Sequence, residues 1–192
     1  MKRRNYKIGV YGSAVNASDT SAAKARALGK ALAEHHCTVI TGACPGLPYE
    51  AAREAATQGA KVWGFSPAGN SIARKRAVPY DDTPIYGKLI FVPKNFPFAS
   101  SLTVSKKYRN VVSTATADAG IIIAGRWGTL HEFTSLYDFG KVIGVLTGTG
   151  GIADELTHLM KKISKPSKAK VLFHSSPATL VKRIITELKE RT

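Results

Sequence analysis

Asp118-Ala-Gly-Ile-Ile-Ile-Ala-Gly-Arg-Trp-Gly-Thr-Leu-His-Glu-Phe133 decides how the chain folds. The isoleucines at 121–123 are β-branched and apolar, and they run into a turn with glycines at 125 and 128. Beyond the turn, Leu130, Phe133, Leu136 and Tyr137 recur at helical spacing. That is the pattern of a strand, a Gly-rich turn and the start of a helix. Glycine admits positive φ and lets a ligand come close to the main chain. The unpaired N–H groups and positive dipole end of the following helix attract an anion. Gly125, Arg126, Gly128 and Thr129 are therefore candidate phosphate-binding residues. Thr129 is placed to cap the helix, and Glu132 stands three residues later at capping-box spacing. Glu132 thus reads either as a cap or as a catalytic or ligand-binding carboxylate.

The same order repeats along the chain. A strand pattern at 7–11 is followed by Gly12-Ser13, a polar turn and a helix from about 21 to 35. A second strand at 38–40 runs into Thr41-Gly-Ala-Cys-Pro-Gly-Leu-Pro48, and a helix at 49–58 follows. A third strand is expected at 61–65, an irregular excursion at 71–84, a fourth strand at 88–92 and a helix running through 108–113. Past the central stretch come a strand at 141–146, a third Gly-rich turn, Thr147-Gly-Thr-Gly-Gly-Ile152, and a helix at 153–162. A last strand at 170–173 and an amphipathic helix at 177–190 complete the pattern. Regular alternation of strand and helix predicts an α/β fold, one doubly wound parallel sheet with helices on both faces, as a single domain over 1–192. The turns then converge at the carboxyl edge of the sheet, where such folds bind ligands. Gly12, Ser13, Gly42, Gly46 and Leu47 join the phosphate or nucleotide candidates, and the 147–152 turn is expected to close over the same ligand.

Composition narrows the function. A chain of 192 residues with 44% hydrophobic and 21% charged content is ordinary for one globular domain. No apolar run is long enough to span a bilayer, and Met-Lys-Arg-Arg leads into a strand rather than a signal-peptide core, so the expectation is a cytoplasmic protein with no membrane partner. Cys37 and Cys44 flank a predicted strand and offer neither a disulfide framework nor a metal site. The adjacent Asp81 and Asp82 have no third ligand at a useful spacing, so no metal is expected. Lys and Arg number 28 against 13 Asp and Glu, a net charge of +15 that favours phosphorylated ligands, anionic surfaces or nucleic acid. The basic residues are scattered and few aromatics interleave with them, which reads as a solvated basic surface rather than a nucleic-acid groove. The chain lacks Gly-x-Gly-x-x-Gly and a Walker Lys-Ser/Thr, which argues against dinucleotide oxidoreduction and phosphoryl transfer.

Gly125-Arg-Trp-Gly-Thr-Leu-His-Glu132 resembles the Pro-Gly-Gly-x-Gly-Thr-x-x-Glu signature of the Lonely Guy (LOG) proteins, often mislabelled lysine decarboxylases, within a Rossmann-like superfamily. It departs at Ala124, where that family has Pro, and at Arg126, where it has Gly. Thr41 to Pro48 is similar to the family's Gly-Gly-Gly-x-x-Gly-Leu-Met stretch, with Ala43 and Cys44 in place of two glycines, and its wording looks closest to an uncharacterised LOG-like cluster branch. The resemblance implies cleavage of the N-glycosidic bond of a nucleoside 5′-monophosphate, an AMP-like ligand, no required cofactor, and a homodimer. It makes Arg109 and Glu132 the catalytic pair. On the sequence alone Arg109 reads equally as one more surface base in a Lys-Lys-Tyr-Arg run. Superfamily relatives look like molybdenum-cofactor carriers, ligand sensors or single-stranded-DNA binders, and these remain alternatives to hydrolysis. Trp127 could stack on a base or fill the pocket, but packing on the next helix is the reading preferred. Lysine decarboxylation itself is not expected, because no lysine has a pyridoxal-phosphate context.

Overall fold

A computed structural model describes residues 4–14, 18–77, 83–163 and 165–191. The strands are β1 (Lys7–Gly12), β2 (Thr38–Thr41), β3 (Val62–Phe65), β4 (Lys88–Ile90), β5 (Ala119–Ile123), β6 (Val142–Leu146) and β7 (Lys170–His174). Between them run α1 (Asp19–Glu34), α2 (Leu47–Thr57), α3 (Ser71–Ala77), α4 (Leu102–Thr116), α5 (Trp127–Asp138) and α6 (Gly151–Lys162), and α7 (Pro177–Glu190) follows the last strand. The strands form one seven-stranded sheet in the order β4-β3-β2-β1-β5-β6-β7. Every pairing in it is parallel. The predicted α/β sheet with helices on both faces is therefore what the chain forms.

Strands buried on both faces need apolar residues at every position, and β2, β5 and β6 are buried along their whole length. Successive side chains point to opposite faces. Ile8, Val10, Ile121 and Ile123 accordingly join one core with α1, α2 and α7. Tyr11 and Ile122 join the other, with Phe133 and Leu136 of α5 and Ala153 and Leu156 of α6. A small third cluster sets Val112 of α4 against Ile40 and Phe65. The chain steps outward from β1 to β4 and then returns to lay β5 against the other side of β1. The carboxyl ends of β1 and β5 thus flank the point where the winding reverses, and a crevice opens there.

Several boundaries differ from the sequence reading. Residues 71–77 form α3 rather than an irregular excursion, with Asn70 Oδ1 accepting the Ala73 N–H at 2.8 Å. Asp81 and Asp82 lie outside the described residues. α2 begins at Leu47 and α6 at Gly151, each two residues earlier than the helix-forming residues suggested. Among the described residues no helix is long and apolar enough to cross a membrane.

Candidate functional site

Arg126 is the N-cap of α5, which makes Thr129 the third residue inside the helix. The expectation of a Thr129–Glu132 capping box therefore fails, because the helix starts three residues earlier than Thr129 as cap requires. Glu132 instead lies a full turn inside α5, buried, with its carboxyl facing a cavity of about 370 Å³. Gly125 makes this turn possible. Its φ is +94°, and a β-carbon there would overlap the Thr129 side chain.

Three of the helix N-termini at this edge follow the Gly-rich turns, and they differ in what remains of their N–H groups. At α2 the Leu47 N–H donates to the Ser13 carbonyl at 2.9 Å, and Pro48 has no N–H to give. At α6 the Gly148 and Gly150 N–H groups donate to the Asp154 carboxylate at 2.7 and 2.8 Å. The next two, Ile152 and Ala153, donate to the carbonyls of Gly125 and Ala124. At α5 the N–H groups of Trp127, Gly128 and Thr129 find no acceptor among the described residues, and no side chain caps the helix. Only this terminus keeps a full set of donors for an anion.

α4 forms the opposite wall. Arg109 is 9% exposed, and its Nη1 donates to the Gly42 carbonyl and, at 3.3 Å, to the Phe65 carbonyl. A β-carbon on Gly42 would collide with this guanidinium, so glycine is needed there to let the arginine lie across the end of β2. Asn110 donates through Nδ2 to the Gly128 carbonyl at 3.4 Å. Its Oδ1 and the Arg109 Nε are buried without a partner. Unpartnered buried polar atoms are rare and expensive in a folded chain, and their concentration here points to a ligand that satisfies them. Burial pushes the Glu132 carboxyl up to about 7, against the opposing pull of Arg109 first and Lys107 second. Burial also raises the Tyr11 hydroxyl, the Glu132 charge adds to it, and Ser113 and Arg109 oppose it.

The structure brings most of the sequence candidates together. Gly12, Ser13, Gly42, Arg109, Arg126, Gly128, Thr129 and Glu132 line the one cavity. Gly46, Leu47 and Gly125 do not; Leu47 is buried in the core beside α1, and the two glycines shape their turns. The 147–152 turn does not close over the cavity either. Thr149 accepts the Ala124 N–H through Oγ1 at 2.8 Å and donates to the Leu146 carbonyl, so this turn braces the central one from behind. Trp127 is 82% exposed and packs on no helix, contrary to the preferred reading. Sequence reasoning missed Tyr11, Thr103, Lys106, Lys107 and Asn110 as lining residues. For the α4 members the signal was present: Thr103, Lys106, Lys107 and Asn110 are spaced i, i+3, i+4 and i+7, one face of a helix.

Among the described residues no three His, Cys, Asp or Glu side chains gather where they could hold a metal ion. Cys37 is buried and its thiol pushed up to about 12 by that burial, with Asp118 adding. Cys44 lines the cavity with its Sγ 3.3 Å from the Gly42 carbonyl.

No curated protein matches the chain in sequence. Solved structures share its fold. The structural-genomics target TM1055 superposes with a TM-score of 0.76 at 20% identity, over 95% of this chain and 99% of that one. The molybdenum cofactor binding protein from the phototrophic bacterium Rippkaea orientalis gives 0.70 at 19% identity, over 96% and 98%. DNA processing protein A from Streptococcus pneumoniae gives 0.66 at 18% identity, over 93% of this chain and 61% of that one. At such identities these likenesses establish the fold alone. The sequence itself matches a family over residues 5–181, and on that match the chain belongs to the SLOG cluster4 family.

Proposed function

We propose that the chain binds a nucleotide through its phosphate at the N-terminus of α5 and hydrolyses the N-glycosidic bond of a nucleoside 5′-monophosphate. The observation that carries this reading is Glu132, a buried cavity carboxyl whose pKa stands at about 7. A general base works best when its pKa is near the ambient pH. In the proposed reaction Glu132 takes a proton from water, the water oxygen bonds to C1′ of the ribose, and the C1′–N bond breaks with its electron pair leaving on the base. That base is then protonated, and ribose 5-phosphate is the other product. The Glu132 charge also stabilises the oxocarbenium character that develops at C1′. Phosphate held by the Trp127, Gly128 and Thr129 N–H groups fixes the sugar.

A second reading has its own support. Arg109 commits its Nη1 to two main-chain carbonyls, which suits a residue that locks the ends of β2 and β3 as much as one that reaches a substrate. The cavity would then hold a nucleotide or nucleotide-like cofactor without turning it over. Incubating wild type and Glu132→Ala with a panel of 5′-mononucleotides, including AMP and N6-modified AMP, separates the two by mass spectrometry. Base released by wild type and not by the variant is the expected result. No release, with a nucleotide still raising the melting temperature, leaves the carrier or sensor. Binding of single-stranded DNA would instead show as affinity falling steeply with salt.

Assembly as a homodimer is supported by exposed apolar side chains on the two helices beside the site, Leu102, Val104 and Val111 on α4 and Trp127 on α5. Light scattering should give twice the chain mass for wild type and the single-chain mass for Val111→Glu. A wild-type monomer would sink the dimer.

A further inference from the structure

The charge of the cavity exceeds what one phosphate needs. Lys106, Lys107, Arg109 and Arg126 line it, and Glu132 is the only acidic side chain among its lining residues. Lys106, Lys107 and Arg126 make no salt bridge or hydrogen bond among the described residues. The lysines do not belong to the α5 cradle. They project from the face of α4 that also carries Thr103 and Asn110, across the cavity from the free N–H groups of α5. A phosphate monoester brings a charge of roughly −1.5 to −2 at neutral pH. Seated on α5 it would satisfy three N–H groups, while the two lysines across the cavity face only the single carboxyl of Glu132 among its lining residues.

We infer that the cavity takes a nucleotide carrying two phosphate groups, one held by the N–H groups of Trp127, Gly128 and Thr129 and the other by Lys106 and Lys107. The inference rests on the nucleotide reading of the site for the organic part of the ligand and departs from its monophosphate, the second phosphate being assigned by the α4 stripe. The cavity of about 370 Å³ suits a ligand of mononucleotide size, so the added charge belongs on one nucleotide rather than on a longer chain. Arg109, already bonded to two carbonyls, is left to orient the walls and not to supply the second site.

Calorimetric titration of the full chain at fixed salt with orthophosphate, pyrophosphate, AMP and ADP tests this. Pyrophosphate should bind at least about tenfold tighter than orthophosphate, and ADP than AMP, the effect of one added charge-assisted contact. Both ratios should collapse towards one in the double variant Lys106→Ala/Lys107→Ala. The double variant Lys161→Ala/Lys162→Ala removes the same charge from the last turn of α6, away from the cavity, and should leave the ratios as they are. Equal affinities for phosphate and pyrophosphate in wild type overturn the inference. So does an equal loss in both double variants, which would assign the preference to the general field of a chain with net charge +15. If pyrophosphate is preferred but neither nucleotide binds better than its inorganic counterpart, the two-phosphate site stands and the nucleotide reading falls.

Discussion

Glutamine at position 132 should make the protein more stable than wild type at pH 8 and no different at pH 4. The sign follows from the direction of the shift. Glu132 goes from an ordinary value of 4.5 to about 7 on folding, so the folded chain holds this proton more tightly than the unfolded chain does. Its contribution is fully present below the unfolded value and is lost as pH rises through the window from 4.5 to about 7. Above that window the folded state carries a buried charge at a cost of about 3 kcal/mol, from 1.36 kcal/mol per unit. Glutamine resembles the protonated acid in shape and carries no charge, so it removes the penalty and the pH dependence together. Urea midpoints for both proteins at pH 4, 6 and 8 measure this. A variant less stable than wild type at pH 8 would show that the carboxylate is held by contacts stronger than its desolvation. Such a penalty in the resting protein is what the proposed role of the carboxylate would require.

Arg109→Ala should lower stability by about 3 kcal/mol at pH 7, in the range set by losing charged hydrogen bonds to buried acceptors. The loss has two physical sources. The Gly42 and Phe65 carbonyls lose their shared donor, which loosens the ends of β2 and β3. Glu132 also loses the strongest of the positive charges that oppose its desolvation, so its pKa moves further above 7. The pH window of the variant should therefore extend upward relative to wild type, which a mere loss of packing would not produce. Arg109→Lys keeps the charge and loses the fork, so it should restore the window and recover only part of the stability. Equal pH profiles for Arg109→Ala and wild type would separate the two residues electrically and count against their pairing.

The alternation of strand and helix was legible because it rests on local patterns, the β-branched run at 121–123 and the helical recurrence after it. The turns at Gly12, Gly42 and Gly128 that line the cavity were legible for the same reason, since glycines between a strand and a helix mark where a main chain must turn. What escaped was set by contacts between distant residues. Nothing local reveals that the Ser13 carbonyl takes the Leu47 N–H, or that Thr149 ties the 147–152 turn to Ala124, so three equivalent Gly-rich turns read as three equivalent cradles. α5 starts three residues earlier than a Thr129 cap implies, so Trp127 is its first residue and its side chain is exposed instead of packing on the helix. Lys106 and Lys107 were set aside as surface bases because charge on an exposed helix is commonplace, although their spacing with Thr103 and Asn110 already placed all four on one side of α4.

The pairing of β1 with β5 carries a further consequence for how the site comes into being. The Lys7 N–H meets the Asp118 carboxylate across 111 positions of sequence, and the crevice exists only once that distance has been closed. Closing so long a loop costs chain entropy before any contact repays it. Every ligand group that bridges the N-terminus of α5 and the end of β1 therefore acts as a clamp across the seam between the two halves of the sheet. A ligand seated there as proposed should therefore protect the whole chain against unfolding and not only the loops it touches.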